Sequence, residues 1–357
     1  MNEAVHHRRP RRRGWLIALA AIVTLAVGGV IGGLIVAANQ TSDADVCAAT
    51  TVANDVLPSV VTIEVRSGAS SSTGSGEIIR SDGYILTNNH VISAAASSGS
   101  ITVVFSDGSS ESATLTGRDP QTDLAVIKVK APEPLPAITF GDSSEIQVGQ
   151  PVVVLGAPLG LSSTVTSGIV SALDRTIAVP GDNGQAALLV SAIQSDASIN
   201  PGNSGGAMTD CAGDLIGVPS AGATVPNSSG GSSAGSVGLG FAIPVNLAKT
   251  VSDEIIATGT VTHSYLGIEV AQIPPAAAQQ AGTPEGLYVT GVLPGGPSAS
   301  AGLKKGDIIT EIDGEPATDP NQLAAVQLTK KPGQTVDVTY ERNGTSTSAT
   351  ITLAEQP

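Results

Sequence analysis

Aromatic side chains are scarce in this sequence: one Trp, four Tyr and three Phe in 357 residues. Cysteine and histidine are scarcer still for a chain of this length, at two and four. Two cysteines exclude a mini-fold stapled by many disulfides and most structural zinc sites. There is no HExxH pair and no GxxxxGK[ST] phosphate loop, and Gly238-Leu239-Gly240 lacks the third glycine of a dinucleotide fingerprint. No metal and no cofactor is therefore expected. Positive charge is also short, with 17 Lys and Arg against 31 Asp and Glu. Five of those basic residues (Arg8, Arg9, Arg11, Arg12, Arg13) and one acid, Glu3, fall within residues 1–38, which leaves the remainder at a net charge of −18. A body that acidic repels phosphate backbones, so no nucleic-acid partner is expected.

What is present points to a globular β protein. Apolar residues make up 41% of the chain, too many for a disordered one. Forty-two Gly and 22 Pro suit many short strands and turns rather than a helical bundle. The length predicts more than one domain.

Trp15 to Ala38 is uncharged throughout. As a helix, these residues would rise about 36 Å, enough to cross a hydrocarbon core about 30 Å thick. The arginines just before them predict a cytoplasmic N-terminus (residues 1–14), a transmembrane helix over 15–38, and everything beyond it outside the cytoplasm. The competing expectation is a cleaved signal peptide, with Val36-Ala37-Ala38 near the cut. The uncharged run is longer than the 7–15 residues usual for a signal core, which favours the anchor. In an extracytoplasmic setting Cys47 and Cys211 are a candidate disulfide.

Residues 39–53 are small and polar, and predict a tether. Strand-like runs then recur between turns: 60–65, 101–105, 124–129 and 151–155 are rich in β-branched residues and bounded by Gly, Asp, Ser or Pro. Asp107-Gly108 predicts a hairpin turn. The Ser- and Gly-rich stretches 67–76 and 228–236 predict surface loops. A helix is predicted over 245–257, with Gly259 just past its end. Residues 54–262 form one predicted domain and 263–357 a second. The second has strands at 286–292, 307–312, 335–340 and 347–353, and helices at 298–303 and after Asp319, where Gln322 completes a capping-box spacing.

Gly202-Asn203-Ser204-Gly205-Gly206 carries the chemistry. Glycines let the backbone approach a substrate closely and turn N–H groups inward, where those of Gly202 and Ser204 would hold a developing oxyanion. A serine nucleophile needs a base. Beyond residue 38 the histidines are His90 and His263, and His263 lies in a polar stretch typical of a linker. His90 in turn needs a carboxylate. Asp123, opening a buried strand, is the best candidate; Asp119 and Asp107 are alternatives in turn contexts. The order His, Asp, Ser on an all-β chain is the chymotrypsin order. The α/β-hydrolase order would place the acid and the histidine after the serine.

Four segments, Ser81–Val91, Asp123–Lys128, Gln194–Gly206 and Gly240–Pro244, resemble the HtrA/Deg family of membrane-associated serine proteases. The resemblance runs from Leu57 to about Leu353. It implies two chymotrypsin-like six-stranded β-barrels followed by a PDZ domain. It also implies Ser204 as nucleophile, His90 as general base, Asp123 as orienting acid and oxyanion donors from the Gly202, Asn203 and Ser204 backbone. Tyr265-Leu266-Gly267-Ile268 resembles the PDZ loop that binds a peptide C-terminus, with the helix after Asp319 as the other groove wall. The family further implies unfolded or misfolded protein substrates and a homotrimer. Ala207 and Val218-Pro219-Ser220 depart from the family pattern beside the substrate pocket. The rival expectation is a catalytically silent, membrane-anchored PDZ scaffold.

Overall fold

Twelve of the strands close into two barrels. The computed structural model describes residues 47–356 apart from 69, 157–163, 183–185 and 223–235. Among the described residues no helix is long and apolar enough to cross a membrane. The predicted span 15–38, the cytoplasmic tail and the Ser/Gly stretch 228–235 all lie outside the described residues.

Helix α1 (Ala49–Val56) replaces the last part of the predicted tether. It buries Val52 and Val56, an apolar pair at i, i+4 that the short polar reading overlooked. The first barrel follows: β1 (Val60–Ser67), β2 (Ser70–Arg80), β3 (Tyr84–Asn88), the one-turn α2 (Asn89–Ile92), β4 (Ser100–Val104), β5 (Ser110–Asp119) and β6 (Leu124–Val129). Its strand order is β1-β2-β3-β6-β5-β4. The inward residues Val61, Ile63, Ile85, Val103 and Ile127 fill it. The expected loop at 67–76 is mostly strand: Ser70 to Gly76 belong to β2 and pair residue for residue with β1, Val65 opposite Ser72 and Ile63 opposite Gly74. Barrel closure supplies the partner that composition could not show. The Asp107-Gly108 hairpin forms as expected, with the Asp107 carboxylate accepting from the Ser109 N–H at 2.8 Å.

The second barrel consists of β7 (Pro151–Gly156), β8 (Thr164–Pro180), β9 (Ala186–Ser195), β10 (Ala207–Thr209), β11 (Leu215–Gly222) and β12 (Gly240–Pro244). Its order is β10-β11-β12-β9-β8-β7, around Val152, Val154, Ile193, Met208 and Ile216. Helix α3 (Val245–Thr258) buries Val245, Ala248, Val251 and Ile255 along one face and stops at Gly259, which is left-handed at φ +82°.

After a short link come β13 (Ser264–Tyr265), β14 (Ile268–Gln272), α4 (Pro275–Ala281), β15 (Leu287–Val292), α5 (Pro297–Ser300), β16 (Ile308–Ile312), β17 (Glu315–Pro316), α6 (Asn321–Thr329), β18 (Thr335–Arg342), β19 (Thr345–Thr352) and β20 (Ala354–Glu355). The sheet runs β14-β15-β16-β18-β19, which leaves β14 on an edge, and β13 pairs with β20. At α6 the Gln322 side chain accepts from the Asp319 N–H at 3.0 Å while Asp319 accepts from the Asn321 N–H at 2.9 Å. Helix α4 was not anticipated, because an Ala/Gln run after two prolines carries little periodic signal. Neither cysteine is free.

Candidate active site

The turn between β5 and β6 places the carboxylate. Asp123 sits at φ +58°, a left-handed conformation that Asp tolerates better than most residues. Its backbone oxygen accepts from the Asn89 N–H at 3.0 Å and from the Asn88 side-chain amide at 2.9 Å. These bonds tie the turn to the end of β3, where α2 begins. They aim the Asp123 side chain under His90, whose own N–H donates to Oδ1 at 3.0 Å. His90 Nδ1 lies 2.8 Å from Oδ2 and 3.1 Å from Oδ1. A carboxylate only accepts, so the neutral ring carries its proton on Nδ1 and leaves the Nε2 lone pair free. The His90 side chain is 37% exposed and that of Asp123 is 2% exposed: the ring is reachable and the carboxylate that holds it is dry.

Ser204 comes from the other barrel, in the turn between β9 and β10. Gly205, at φ +77°, has no space for a side chain: a Cβ would lie 2.3 Å from Thr87 Oγ1 and 2.4 Å from Ser75 O. The turn is thus pressed against β2 and β3, next to the segment that carries His90. The Ser75 N–H donates to Ser204 O at 2.9 Å, and the Ser75 hydroxyl donates to Gly202 O at 2.6 Å. Those bonds cross the barrel interface and fix the turn from the His90 side.

Ser220 joins the two halves of the site. Its hydroxyl donates to Asp123 Oδ2 at 2.6 Å, and its carbonyl accepts from Ser204 Oγ at 3.4 Å. Among the described residues the Ser204 hydroxyl is bonded to that carbonyl and not to His90. Sequence reasoning treated Ser220 only as a departure near the substrate pocket; a hydroxyl on a buried strand, 6% exposed, was the signal that could have found it.

The backbone corrects one expectation. The Asn203 N–H donates to Asn200 O at 3.0 Å, so it is committed to the turn and cannot serve an oxyanion. That leaves Gly202, at φ +102°, and Ser204 as the candidate donors. Asn203 is instead a buried structural residue, its amide donating to Ser198 O at 3.2 Å.

His263 is not a solvated linker residue. It is 7% exposed, and its Nε2 lies 2.9 Å from Oδ1 of Asp119, itself 3% exposed. Among the described residues no serine hydroxyl bonds that ring, and a pair so enclosed offers a substrate no approach. Asp107 is in the exposed β4–β5 hairpin.

In the second domain the Leu266 and Gly267 carbonyls accept from the Ser298 and Leu293 N–H groups, which anchors the loop Tyr265–Ile268. The Leu266 N–H donates to the Gln327 side chain of α6 at 3.3 Å. Ile268 and Val270 pack on a core that contains Leu323 and Val326 of α6, so those two helix residues are core residues.

With this geometry in place, the comparisons with known proteins fall into register. Residues 74–218 match the trypsin-like peptidase domain, and residues 264–353 match the PDZ domain. The solved structure of the HtrA-type protease AlgW with a decapeptide aligns over 87% of this chain and 99% of that one, at 35% identity and a TM-score of 0.68. The chain belongs to the HtrA-type serine endoproteases. Within that family it is 42% identical over 311 residues to the serine protease PepD of Mycobacterium tuberculosis, covering 85% of this chain. It is also 42% identical over 283 residues to the periplasmic pH-dependent serine endoprotease DegQ of Escherichia coli, covering 78% of this chain. The chain spans 65% and 59% of the length of those two relatives.

Proposed function

We propose that the chain is a membrane-anchored serine endopeptidase that cleaves unfolded or misfolded proteins outside the cytoplasm, in envelope quality control. Ser204 is the nucleophile, His90 the general base and Asp123 the orienting acid. The observation that carries this reading is the reachable His90 ring, held through Nδ1 by a buried Asp123 that Ser220 links to Ser204. The reaction requires the Ser204 side chain to turn off the Ser220 carbonyl and present its hydroxyl to Nε2. Oγ then attacks the peptide carbonyl as Nε2 takes its proton, and the tetrahedral oxyanion is held by the Gly202 and Ser204 N–H groups. The imidazolium returns that proton to the leaving amine, which departs and leaves an ester on Ser204. A water molecule, deprotonated by His90, hydrolyses the ester and regenerates the hydroxyl.

The PDZ domain captures peptide C-termini at Tyr265–Ile268, with the peptide adding a strand to the free edge of β14. Three things support this: the edge position of β14, the anchored loop, and the peptide complex of AlgW. The arginine-flanked run 15–38 and the periplasmic relatives support the anchor and an extracytoplasmic protease. A homotrimer rests on the family resemblance. Incubation of the full chain with unfolded casein tests the catalytic reading, beside Ser204→Ala. Cleavage by the parent alone supports it. Cleavage by neither, with peptide binding retained, makes the protein a PDZ scaffold.

A further inference from the structure

Four residues, Pro120 to Asp123, connect β5 to β6, and the last of them is the acid that orients His90. The start of that turn is fixed by a second carboxylate, Asp119, which has no part in the proton transfers. Its Oδ2 accepts from the Thr122 hydroxyl at 2.5 Å, and its Oδ1 accepts from the Gln121 N–H at 3.2 Å. Both of these donors lie inside the turn. The third partner comes from 144 residues away: His263 Nε2, 2.9 Å from Oδ1.

His263 belongs to the link between the two domains, and that link is itself held from both sides. The preceding residue, Thr262, donates its N–H to Glu254 of α3 at 2.6 Å. The His263 carbonyl accepts from the N–H of Gln356, just beyond β20. Gln356 reaches the acid's turn directly as well, its side-chain oxygen accepting from the Gln121 amide at 3.2 Å. The Gln121 carbonyl accepts from the Leu188 N–H of β9 in the second barrel. The turn that carries Asp123 is thus braced by the second barrel, by the interdomain link and by the end of the PDZ domain. Of these braces, the His263–Asp119 contact is the most enclosed, at 6% and 3% side-chain exposure. A buried polar pair of this kind is costly to break, because the remaining partner keeps its desolvation without its bond.

We propose that His263 is a positioning residue for catalysis. Through Asp119 it holds the Pro120–Asp123 turn so that Asp123, left-handed at φ +58°, aims its carboxylate at His90 Nδ1, and so ties the seating of the PDZ domain to the geometry of the catalytic acid. The proposal rests on the assignment of Ser204, His90 and Asp123 given above. The bond runs from the Nε2 proton to the carboxylate, so any side chain that places a donor at the same point can stand in for the ring. Glutamine does so with its terminal amide; asparagine is one methylene too short.

The test uses the full chain with a fluorophosphonate, which reports Ser204 reactivity without a protein substrate. Steady-state hydrolysis of a short peptide anilide and the melting temperature are measured on the same samples. His263→Ala and His263→Asn are expected to lower both the phosphonylation rate and kcat about tenfold, as a displaced catalytic group does, with KM within about twofold of the parent. His263→Gln is expected to recover most of the loss. Should the alanine variant not fold, the Gln–Asn contrast carries the same information, since both side chains are polar and differ only in reach. Equal phosphonylation rates in parent, His263→Asn and His263→Gln, whatever the melting temperatures, would overturn the proposal, and so would a loss confined to KM. If the parent itself is not labelled at Ser204, the catalytic assignment fails first and this inference falls with it.

Discussion

The Ser220 hydroxyl donates to Asp123 Oδ2 across 2.6 Å, from β11 of one barrel to the β5–β6 turn of the other. The same oxygen receives His90 Nδ1 at 2.8 Å. Asp123 is therefore held by both barrels, and its orientation depends on how they are docked. Hydrogen bonds to a charged group are worth about 1.5–3 kcal/mol. If part of that is realised only as the imidazolium forms, Ser220→Ala will lower kcat about tenfold and leave KM within about twofold. Steady-state kinetics on a peptide anilide check this. A fall in KM affinity with unchanged kcat would mean that Ser220 serves the substrate pocket instead.

Asp123→Asn separates charge from shape. Asparagine is at home at φ +58°, so the turn and the melting temperature should survive the change. An amide in place of the carboxylate can present its N–H₂ to Nδ1, which favours the wrong tautomer and removes the partner of the imidazolium. The expected loss is about 10⁴ in kcat, without unfolding. Activity within tenfold of the parent in a folded variant would remove Asp123 from the triad.

The sequence made part of this site legible and hid the rest for a physical reason. Glycine on both sides of Ser204, the shortage of histidine and an acid opening a buried strand were local signals, and they led to residues that the fold links through hydrogen bonds. Helix α3 announced itself through its periodic Val245, Ala248, Val251 and Ile255 and its terminal Gly259. The Asn203 N–H is committed within its own turn, to Asn200 O, and no residue pattern marks that choice. The Ser220–Asp123 bond and the pairing of His263 with Asp119 were not local: each joins side chains that meet only across a barrel or domain boundary. The 67–76 stretch failed for the same reason: its Ser and Gly composition describes a loop until β1 is placed beside it. The helix after Asp319 was expected as a groove wall, and only packing shows that its Leu323 and Val326 belong to the core against which Ile268 and Val270 rest.

The two cysteines give a prediction on stability. Neither is free, and the chain holds no others, so a Cys47–Cys211 disulfide is expected. Closing so long a loop would stabilise the fold by about 5 kcal/mol on the loop-entropy model. Protein purified from an oxidising compartment should show no maleimide-reactive thiol when denatured and two after reduction, with a melting temperature lowered by the reductant. Two reactive thiols before reduction would contradict the pairing.

Glu77 predicts how stability varies with pH. It lies on β2, opposite Val60 on β1 and Leu86 on β3, and is fully enclosed. Among the described residues neither of its carboxyl oxygens has a hydrogen-bond partner. Burial pushes this carboxyl well above its ordinary value of 4.5. The folded chain therefore keeps Glu77 protonated where the unfolded chain has released the proton. Below about pH 4.5 both states bind it and the residue adds no pH dependence. Above that, stability falls by up to about 1.4 kcal/mol per pH unit from this one group, and the fall ends once the folded-state pKa is passed. Glu77→Gln keeps the shape and cannot ionise. The variant should match the parent near pH 4.5 and exceed it increasingly as pH rises above that, until the folded-state pKa is passed, read as a widening gap in melting temperature. Parallel curves across that range would show that the Glu77 carboxyl finds a partner in solution.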